Sequence, residues 1–227
     1  MAMSAAQEML SAMRLRRKSG ANNVLADQLH LRFNQATAAI LLFLLSPVML
    51  ALALLIAHRD GAPVLFGHYR VGKDGRLFRC LKFRSMYLNS EQMLAEILQS
   101  DSAARVEWER DQKLSNDPRI TPVGHFLRRT SLDELPQLLN VLRGEMSLVG
   151  PRPITVNELT RYGRVRWHYL SVRPGITGLW QVSGRNERTY EDMVRLDIEY
   201  LNRRNWLFDL WLLARTVRVV FGGRGAV

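Results

Sequence analysis

The feature that most constrains the fold is an uncharged apolar run, ATAAILLFLLSPVMLALALLIA, at residues 36–57. A helix rises about 1.5 Å per residue, so a run of this length can cross a hydrocarbon core of about 30 Å. The run begins too late for a signal peptide, and it ends at His58-Arg59-Asp60 without a small-residue cleavage pattern. It therefore predicts a helix that lies in a membrane.

The topology of this helix depends on a proline and on the flanking charges. Ser46-Pro47 falls at the middle of the run, where proline removes a hydrogen bond and breaks or kinks a helix. Basic residues lie on both sides: a cluster at residues 14–18 and Arg32 precede the run, and Arg59 follows it. A spanning helix would place one basic flank outside, against the positive-inside bias. These features favour a re-entrant helix-break-helix, with a Pro-kinked span whose N-terminus is outside as the alternative.

Length and charge set the domain organisation and the class of partner. The 227 residues suit one domain, with residues 1–31 as a basic tail, 32–60 as the re-entrant helix and 61–227 as a cytoplasmic domain. A net charge of +11 and a pI near 10.6 indicate a polyanionic partner: nucleic acid, an anionic membrane surface or phosphorylated small molecules. Because Cys80 is the only cysteine, an intrachain disulfide framework and a cysteine-based zinc site are excluded.

The cytoplasmic part reads as mostly helical with one hairpin. Two β-prone runs, at residues 63–71 and 77–84, flank the turn-rich sequence GKDG and predict a β-hairpin. Lys82 and Arg84 alternate with apolar residues, so both cations are expected on one face, either solvated or directed at an anion. Residues 206–221 suit core packing or an amphipathic interfacial helix equally well. The predicted fold is α+β, mostly helical, with a membrane helix, a small hairpin and amphipathic interfacial helices.

Paired acids open the most informative motif, TSLDELPQ at residues 130–137. Leucines at helical spacing predict an amphipathic helix that begins close to Asp133 and ends near Gly144. Asp133 and Glu134 would then lie in its first turn, where free N–H groups and the helix dipole favour anions. The alternative is a purely structural role, a helix capping box formed by Ser131 and Glu134.

Two turn-rich loops present further donors. In one loop, Pro151 and Pro153 fix the backbone on either side of Arg152. Because its backbone is rigid, the Arg152 guanidinium is expected to point in a fixed direction. The other loop, RPGITGLWQVSGR at residues 173–185, combines small residues with the donors Gln181 and Arg185. Either loop alone could be structural. Two arginine loops together with Arg128 beside the paired acids argue against simple surface charge.

The chemistry that these residues permit is narrow. The chain has no Walker-type phosphate loop, no G-x-S-x-G elbow, no H-E-x-x-H and no D-x-D, and its five histidines show no ligand spacing. Carboxylates can act as covalent nucleophiles on phosphorus, and Mg²⁺ typically binds one or two carboxylates together with substrate phosphates. The residues therefore fit phosphoryl transfer at a membrane surface.

Four long motifs carry a family resemblance: SPVMLALALLI, RVGKDGRLFRCLKFRSM, DPRITPVGHFLRRTSLDELPQLLNVLRGEMSLVGPRP and RPGITGLWQVSGR. From about residue 33 onward the chain resembles the bacterial sugar transferase family, the monotopic polyprenyl-phosphate phosphoglycosyl transferases. The resemblance implies transfer of a sugar 1-phosphate from a UDP-sugar to undecaprenyl phosphate with release of UMP. It also implies a bacterial inner-membrane location with the catalytic domain on the cytoplasmic face.

The resemblance further assigns residues by position. Asp133 matches the nucleophile of a phosphosugar-enzyme intermediate, and Glu134 matches its Mg²⁺-associated partner. Ser46-Pro47 matches the break of the re-entrant helix. The basic and polar positions that we assign to phosphate or substrate contacts are Lys82, Arg84, Arg128, Arg152, Gln181 and Arg185.

Several expectations remain coarse. The C-terminal sequence VRVVFGGRGAV resembles members that begin exopolysaccharide or O-antigen (lipopolysaccharide) repeats with a hexose phosphate, galactose or glucose. His68 and Asn34 depart from the residues usual in the family, Gln and Asp. Expected partners are the UDP-sugar, undecaprenyl phosphate and membrane lipids, with no nucleic acid, and homo-oligomer formation stays open. The rival hypothesis is a non-catalytic basic scaffold anchored to the membrane.

Overall fold

The structure, a computed structural model, describes residues 21–111, 114–184 and 189–222. It is mostly helical and contains two small two-stranded sheets. The helices are α1 Ala21–Asp60, α2 Ser90–Ser100, α3 Ser102–Asp111, α4 Pro122–Thr130, α5 Gln137–Leu142, α6 Val156–Arg161, α7 Arg166–Leu170, α8 Leu179–Val182, α9 Tyr190–Arg203 and α10 Trp206–Gly222. The strands are β1 Leu65–Val71, β2 Leu77–Phe83, β3 Ser147–Val149 and β4 Gly175–Thr177. The predicted α+β, mostly helical class is confirmed.

The apolar run lies in α1, a single helix of 40 residues that continues through Pro47. The hydroxyl of Ser46 explains part of this continuity, because it donates to the carbonyl oxygen of Phe43 at 2.8 Å. That carbonyl is the one that the missing N–H of Pro47 would have bonded. The helix bounds therefore differ from the predicted division into two helices at Ser46-Pro47. They also differ at the N-terminus, since residues 21–31, predicted as tail, are helical, while residues 1–20 lie outside the described part.

Both ends of α1 contact the same globular part of the chain. Near the N-terminal end, the side-chain oxygen of Asn34 accepts from the Leu148 amide at 2.7 Å, and Gln35 donates to the Leu142 carbonyl at 2.9 Å. At the other end, the Thr121 hydroxyl donates to the Asp60 carboxylate at 2.8 Å. The helix thus lies along the domain rather than projecting from it.

The opposite face of α1 is exposed and apolar. Within the described residues α1 is the one helix long and apolar enough to cross a membrane, and 11% of its most apolar window is buried. Within the apolar run, its exposed large side chains are Ile40, Phe43, Leu44, Val48, Leu50, Leu54 and Leu55. Such a continuous apolar face is stable only against lipid or another apolar surface.

The predicted hairpin is confirmed. Strands β1 and β2 pair antiparallel, with Phe66 opposite Lys82. A 3-10 turn, Lys73–Gly75, connects the strands, and Asp74 and Gly75 adopt positive φ angles of 57° and 72°. Glycine and aspartate tolerate this left-handed geometry better than most residues, which is why GKDG makes the turn.

A parallel pair, β3 and β4, joins the two arginine loops and was not predicted. Ser147 lies opposite Gly175, and Val149 lies opposite Thr177. The strands approach closely at glycine: a Cβ atom on Gly150 would lie 2.7 Å from both the Arg173 carbonyl oxygen and the Gly175 nitrogen. The small residues in these loops therefore serve backbone packing.

A small apolar cluster fixes the C-terminal end of α1 to the domain. Its buried members are Leu52, Ile56, Phe83 and Leu127. Phe83 follows Lys82 on β2, and Leu127 precedes Arg128 on α4. Complete burial of an aliphatic side chain such as Ile56 contributes about 1.5–3 kcal/mol. The membrane helix and the two predicted phosphate-binding cations are therefore held by one cluster.

Two helix predictions need correction. Asp133 and Glu134 lie on a separate 3-10 turn, Leu132–Glu134, and α5 begins only at Gln137. Ser131 has a φ angle of 57° and forms no side-chain capping bond, so the capping-box alternative is wrong. A left-handed residue at this point ends α4 and turns the chain sharply into the acidic pair.

The last helix shows both behaviours that the sequence left open. In α10, Leu212 is fully buried in the main core, whereas Leu207 is 79% exposed and Leu210 and Trp211 are also exposed. One side of α10 therefore packs on the domain, and the other side presents an apolar surface.

Candidate active site

The centre of the candidate site is a cluster of one lysine and two carboxylates. The Lys82 ammonium lies 2.7 Å from Oε1 of Glu134 and 3.5 Å from Oδ2 of Asp133. Asp133 is buried, with 6% of the residue exposed, while the side chains of Lys82 and Glu134 are 37% and 27% exposed. The structure thus brings together three of the residues predicted for catalysis and substrate binding.

Backbone geometry explains this proximity. Strand β2 runs beside the 3-10 turn that carries both acids, and it also packs on α5. Asn140 on α5 is completely buried, and its side chain accepts from the Leu81 amide at 2.9 Å and donates to the Arg79 carbonyl at 2.7 Å. The carboxamide thus replaces a missing strand partner along the edge of β2. Lys82, next to Leu81, is held in register with the acids as a result.

Arg128 adds a second cation to the site. It lies in the last turn of α4, and its Nε donates to the Ser85 hydroxyl at 2.9 Å. Its positive charge acts on Asp133, where it opposes the rise in that carboxyl's pKa. Burial in turn lowers the pKa of Arg128 itself, against the charges of Asp133 and Asp117.

Electrostatics distinguish Asp133 from an ordinary surface carboxylate. Burial raises its pKa, Lys82 opposes that rise, Glu134 adds to it and Arg128 opposes it, with a raised pKa as the net result. For Lys82, burial acts against the charged form, but the charges of Glu134 and Asp133 outweigh it and raise the pKa. Lys82 therefore stays protonated, and the Asp133 carboxylate is more basic than that of an ordinary aspartate.

Arg84 lies against the C-terminal end of α1. It is buried, with 6% of the residue exposed, and its Nη2 donates to the carbonyl oxygens of Asp60 and Gly61, each at 2.6 Å. These carbonyls belong to the C-terminal end of α1, where a cation is favoured by the helix dipole. Arg84 therefore binds the C-terminal end of the membrane helix through Nη2, while its buried Nε and Nη1 have no hydrogen-bond partner among the described residues. A phosphate contact of Arg84 stays a prediction.

The other predicted donors are Arg152, Gln181 and Arg185. Arg152 lies in the loop after β3. Burial raises the pKa of the Cys80 thiol to about 11, and the positive charge of Arg152 is one of those that oppose this rise. Gln181 is buried on α8, and its carboxamide oxygen packs against Gly178. Arg185 lies outside the described residues. Phosphate binding by these three residues stays a prediction.

The donor set fits a magnesium ion that is shared with substrate. In the described ranges, no group of three or more His, Cys, Asp or Glu side chains could form a protein-only metal site. The carboxylates of Asp133 and Glu134 remain, and Mg²⁺ commonly takes one or two carboxylates and completes its octahedron with water and phosphate oxygens.

Asn140 and Ser85 are the residues that sequence reasoning missed. Asn140 interrupts the apolar stretch LLNVL of α5, which is a signal for a buried polar group with a specific partner. Ser85 offers no such signal, because a single serine after a strand is common. Its role follows only from the arrival of Arg128 from another element.

Comparison with known proteins places the chain in a family. A family model described as "Bacterial sugar transferase" matches residues 26–223, and the chain belongs to this family, as the motifs predicted. It is 52% identical over 196 residues to the "UDP-galactose-lipid carrier transferase" of Erwinia amylovora, which covers 86% of this chain and 40% of the relative. The same identity and coverages, 52%, 86% and 40%, hold for the "Undecaprenyl-phosphate galactose phosphotransferase" of Salmonella typhimurium.

A third relative has a similar length. The chain is 45% identical over 194 residues to the "Exopolysaccharide production protein ExoY" of Sinorhizobium fredii, and the match covers 86% of each protein. By contrast, the chain spans only 40% of the length of the first two relatives. Family membership and the long apolar helix together indicate association with a membrane.

Proposed function

We propose that this protein transfers a sugar 1-phosphate from a UDP-sugar to undecaprenyl phosphate and releases UMP. The observation that carries the proposal is the buried Asp133 beside Glu134, Lys82 and Arg128, at the end of a helix with an exposed apolar face. The names of two relatives, a UDP-galactose-lipid carrier transferase and an undecaprenyl-phosphate galactose phosphotransferase, support this reaction and favour galactose as the hexose. The relative ExoY supports a place in exopolysaccharide production.

In the proposed first step, the Asp133 carboxylate attacks the phosphorus that bears the sugar. The new bond joins an Asp133 oxygen to that phosphorus, while the bond to the bridging oxygen breaks and UMP leaves with the electron pair. The raised pKa of Asp133 suits this role, because a more basic carboxylate is the better nucleophile once it is ionised. Asp133 is also less tightly held by Lys82 than Glu134 is, at 3.5 Å against 2.7 Å.

In the second step, an oxygen of undecaprenyl phosphate attacks the phosphorus of the acyl phosphate. The bond between phosphorus and Asp133 breaks, and the free carboxylate is regenerated with undecaprenyl-diphosphate-sugar as the product. Two sequential steps allow a soluble donor and a lipid acceptor to use one small site in turn. Such a scheme predicts ping-pong kinetics.

The cations make this chemistry possible by reducing repulsion between anions. Lys82 neutralises Glu134 and approaches Asp133, and Arg128, held by Ser85, is directed at the same carboxylate region. When bound by Asp133 and Glu134, Mg²⁺ would supply charge neutralisation at the phosphate oxygens. These preorganised charges are most effective because Asp133 is largely removed from water.

For the membrane helix we propose the re-entrant topology, with the catalytic part on the cytoplasmic face. The hydrogen bonds of Asn34 near one end of α1 and of Asp60 at the other reach the same domain, which a helix crossing the bilayer could not easily satisfy. Cysteines introduced at the exposed positions Gln28 and Arg59 test the topology in intact cells. An impermeant periplasmic reagent should label neither position, whereas labelling of Gln28→Cys would support the Pro-kinked span.

Release of UMP tests the reaction itself. Purified protein in detergent is given undecaprenyl phosphate, Mg²⁺ and either UDP-galactose or UDP-glucose. We expect UMP release with at least one donor, and parallel lines when the two substrate concentrations are varied. The rival scaffold hypothesis predicts no UMP with any donor, and intersecting lines would contradict the covalent scheme.

A further inference from the structure

The last residue of the membrane helix is an aspartate whose side chain is bonded to the domain that carries the candidate site. Asp60 ends α1, and its carboxylate accepts a hydrogen bond from the Thr121 hydroxyl at 2.8 Å. A carboxylate at the C-terminal end of a helix is disfavoured by the helix dipole. Arg84 offsets part of this cost, because its Nη2 donates to the Asp60 carbonyl oxygen at 2.6 Å. The unfavourable position of the carboxylate still calls for a reason, and its partner supplies one.

That partner, Thr121, begins the helix that carries Arg128. Thr121 is the N-cap residue of α4, and its hydroxyl accepts from the Gly124 amide at 2.9 Å while it donates to Asp60. A hydroxyl can donate and accept at once, so one oxygen atom joins the end of α1 to the first turn of α4. Thr121 is 1% exposed, so water does not compete for either bond. Arg128 follows in the last turn of α4, about 10 Å along the helix axis.

A second route joins Thr121 to Arg128 through Ser85. The Thr121 amide donates to the Ser85 carbonyl oxygen at 3.1 Å, and Nε of Arg128 donates to the Ser85 hydroxyl at 2.9 Å. Gly124 permits this approach: it lies one turn before Arg128 on the same face of α4, and a Cβ atom on it would lie 2.7 Å from the Ser85 carbonyl carbon. Among the described residues, Nε is the Arg128 nitrogen that forms a hydrogen bond, which leaves both Nη groups for a ligand.

We propose that Asp60 is a positioning residue: through the Thr121 hydroxyl it fixes α4 so that the Arg128 guanidinium points at the phosphates of the UDP-sugar donor. The inference rests on the proposed function and extends it to a residue outside the site. It makes the seating of the membrane helix part of the geometry of the site. A displacement of about 1 Å in a group that contacts the reacting phosphate is enough to slow a reaction strongly.

The alternative is that the bond between Asp60 and Thr121 only stabilises the fold. Its loss would then lower the activity by the same factor whether or not Arg128 is intact. If Asp60 acts through Arg128, its removal should cost little once the guanidinium fork is already lost. A double-mutant cycle measures this difference, because residues that act through one another show a coupling energy and independent residues do not.

The cycle combines Asp60→Ala with Arg128→Lys, which keeps the charge but loses the planar fork and the Nε donor. The complete chain in detergent is assayed for UMP release with Mg²⁺, undecaprenyl phosphate and the UDP-sugar that supports turnover, at a temperature below the Tm of every variant. Asp60→Ala alone should lower kcat/KM for the donor about tenfold, equivalent to about 1.4 kcal/mol. In the Arg128→Lys background the same change should lower kcat/KM less than about twofold.

Two controls address the charge of Asp60 and general surface effects. Asp60→Asn keeps an oxygen that accepts from the Thr121 hydroxyl, so its kcat/KM should stay within about twofold of wild type. Glu91→Ala, which removes an exposed carboxylate on α2, should do the same.

A second cycle keeps the test decisive if Asp60→Ala does not fold. Thr121→Val removes the donor to Asp60 at nearly constant volume, together with the N-cap bond, and is combined with Arg128→Lys in the same way. The loss in kcat/KM should again be largely absent in the Arg128→Lys background. Thr121→Ser keeps the hydroxyl and should restore the kcat/KM of wild type.

An equal loss of kcat/KM for Asp60→Ala in both backgrounds would overturn the proposal, because the effect would then be independent of Arg128. A wild-type kcat/KM in Asp60→Ala would overturn it as well. Failure of the proposed function has a different signature, since wild type would then bind UDP but release no UMP from any UDP-sugar. In that case the same cycle is measured on UDP affinity by titration calorimetry, where the same coupling between Asp60 and Arg128 is expected.

Discussion

Replacement of Asn140 by alanine should lower the stability of the folded protein and also slow the reaction. Asn140→Ala removes bonds to the Leu81 amide at 2.9 Å, the Arg79 carbonyl at 2.7 Å and the Glu145 carboxylate at 2.6 Å. Each orphaned buried group costs about 1–3 kcal/mol. Two backbone groups on β2 lose their partner, so we expect a loss of about 3 kcal/mol, below the maximum because solvent reaches part of this strand.

The assay is thermal unfolding in detergent together with UMP release. For a chain of this size, about 3 kcal/mol corresponds to a fall in Tm of roughly 6–12 °C. Asn140→Asp keeps the acceptor for the Leu81 amide but sets a buried carboxylate against the Arg79 carbonyl and the Glu145 carboxylate, so near neutral pH it should lose at least as much stability as Asn140→Ala. Asn157→Ala on the exposed side of α6 is the matched control and should change Tm little. An Asn140→Ala variant with the Tm and turnover of Asn157→Ala would refute the role assigned to this side chain.

Three further changes test other parts of the account. Asp133→Asn should have a higher Tm than wild type at neutral pH and the same Tm below about pH 4. The reason is that a carboxyl whose pKa is raised on folding destabilises the folded state once the pH rises above the pKa of the unfolded chain. An equal Tm difference at both pH values would contradict this. Arg152→Lys keeps the charge but loses the fork, so turnover should fall at least about tenfold, or about 1.4 kcal/mol, and wild-type kinetics would remove Arg152 from the site. Ser46→Ala removes the donor to the Phe43 carbonyl and should speed hydrogen exchange of the amides just after Pro47; unchanged protection would show that this bond does not stabilise the helix.

The sequence predicted the parts of the fold that depend on local patterns. A helix over the apolar run at residues 36–57 and the hairpin around GKDG are both found. Each has a clear period or turn signal that no distant contact overrides. The helix start at Ala21 was missed because residues 21–31 carry several polar side chains, which here bond to the domain, as Asp27 does to Lys73 at 2.6 Å.

The candidate site was predictable in its residue types more than in its geometry. Asp133, Glu134, Lys82 and Arg128 were named from motifs, and the structure places their side chains or charges together. Strand alternation predicted a common face for Lys82 and Arg84, but it could not show that the end of α1 covers Arg84. Asn140 was not found because its importance arises only from contacts between elements that are far apart in the sequence.

The parallel pairing of β3 with β4 illustrates the same limit. Each strand has only three residues, SLV and GIT, and gives no periodic signal. The pairing follows from the close approach of Gly150, Gly175 and Gly178, which only small residues permit. The sequence contained these glycines, but the contact they make possible depends on the packed domain.

The central claim is that Asp133 carries the sugar phosphate, and intact-protein mass spectrometry tests it most directly. Protein is incubated with UDP-galactose and Mg²⁺ in the absence of undecaprenyl phosphate, and the modified peptide is then located. The account predicts a mass increase equal to one hexose phosphate on the peptide that contains Asp133, absent in Asp133→Asn and discharged when undecaprenyl phosphate is added. An adduct that persists in Asp133→Asn, or UMP release by wild type only when the lipid is present and without any adduct, would contradict it.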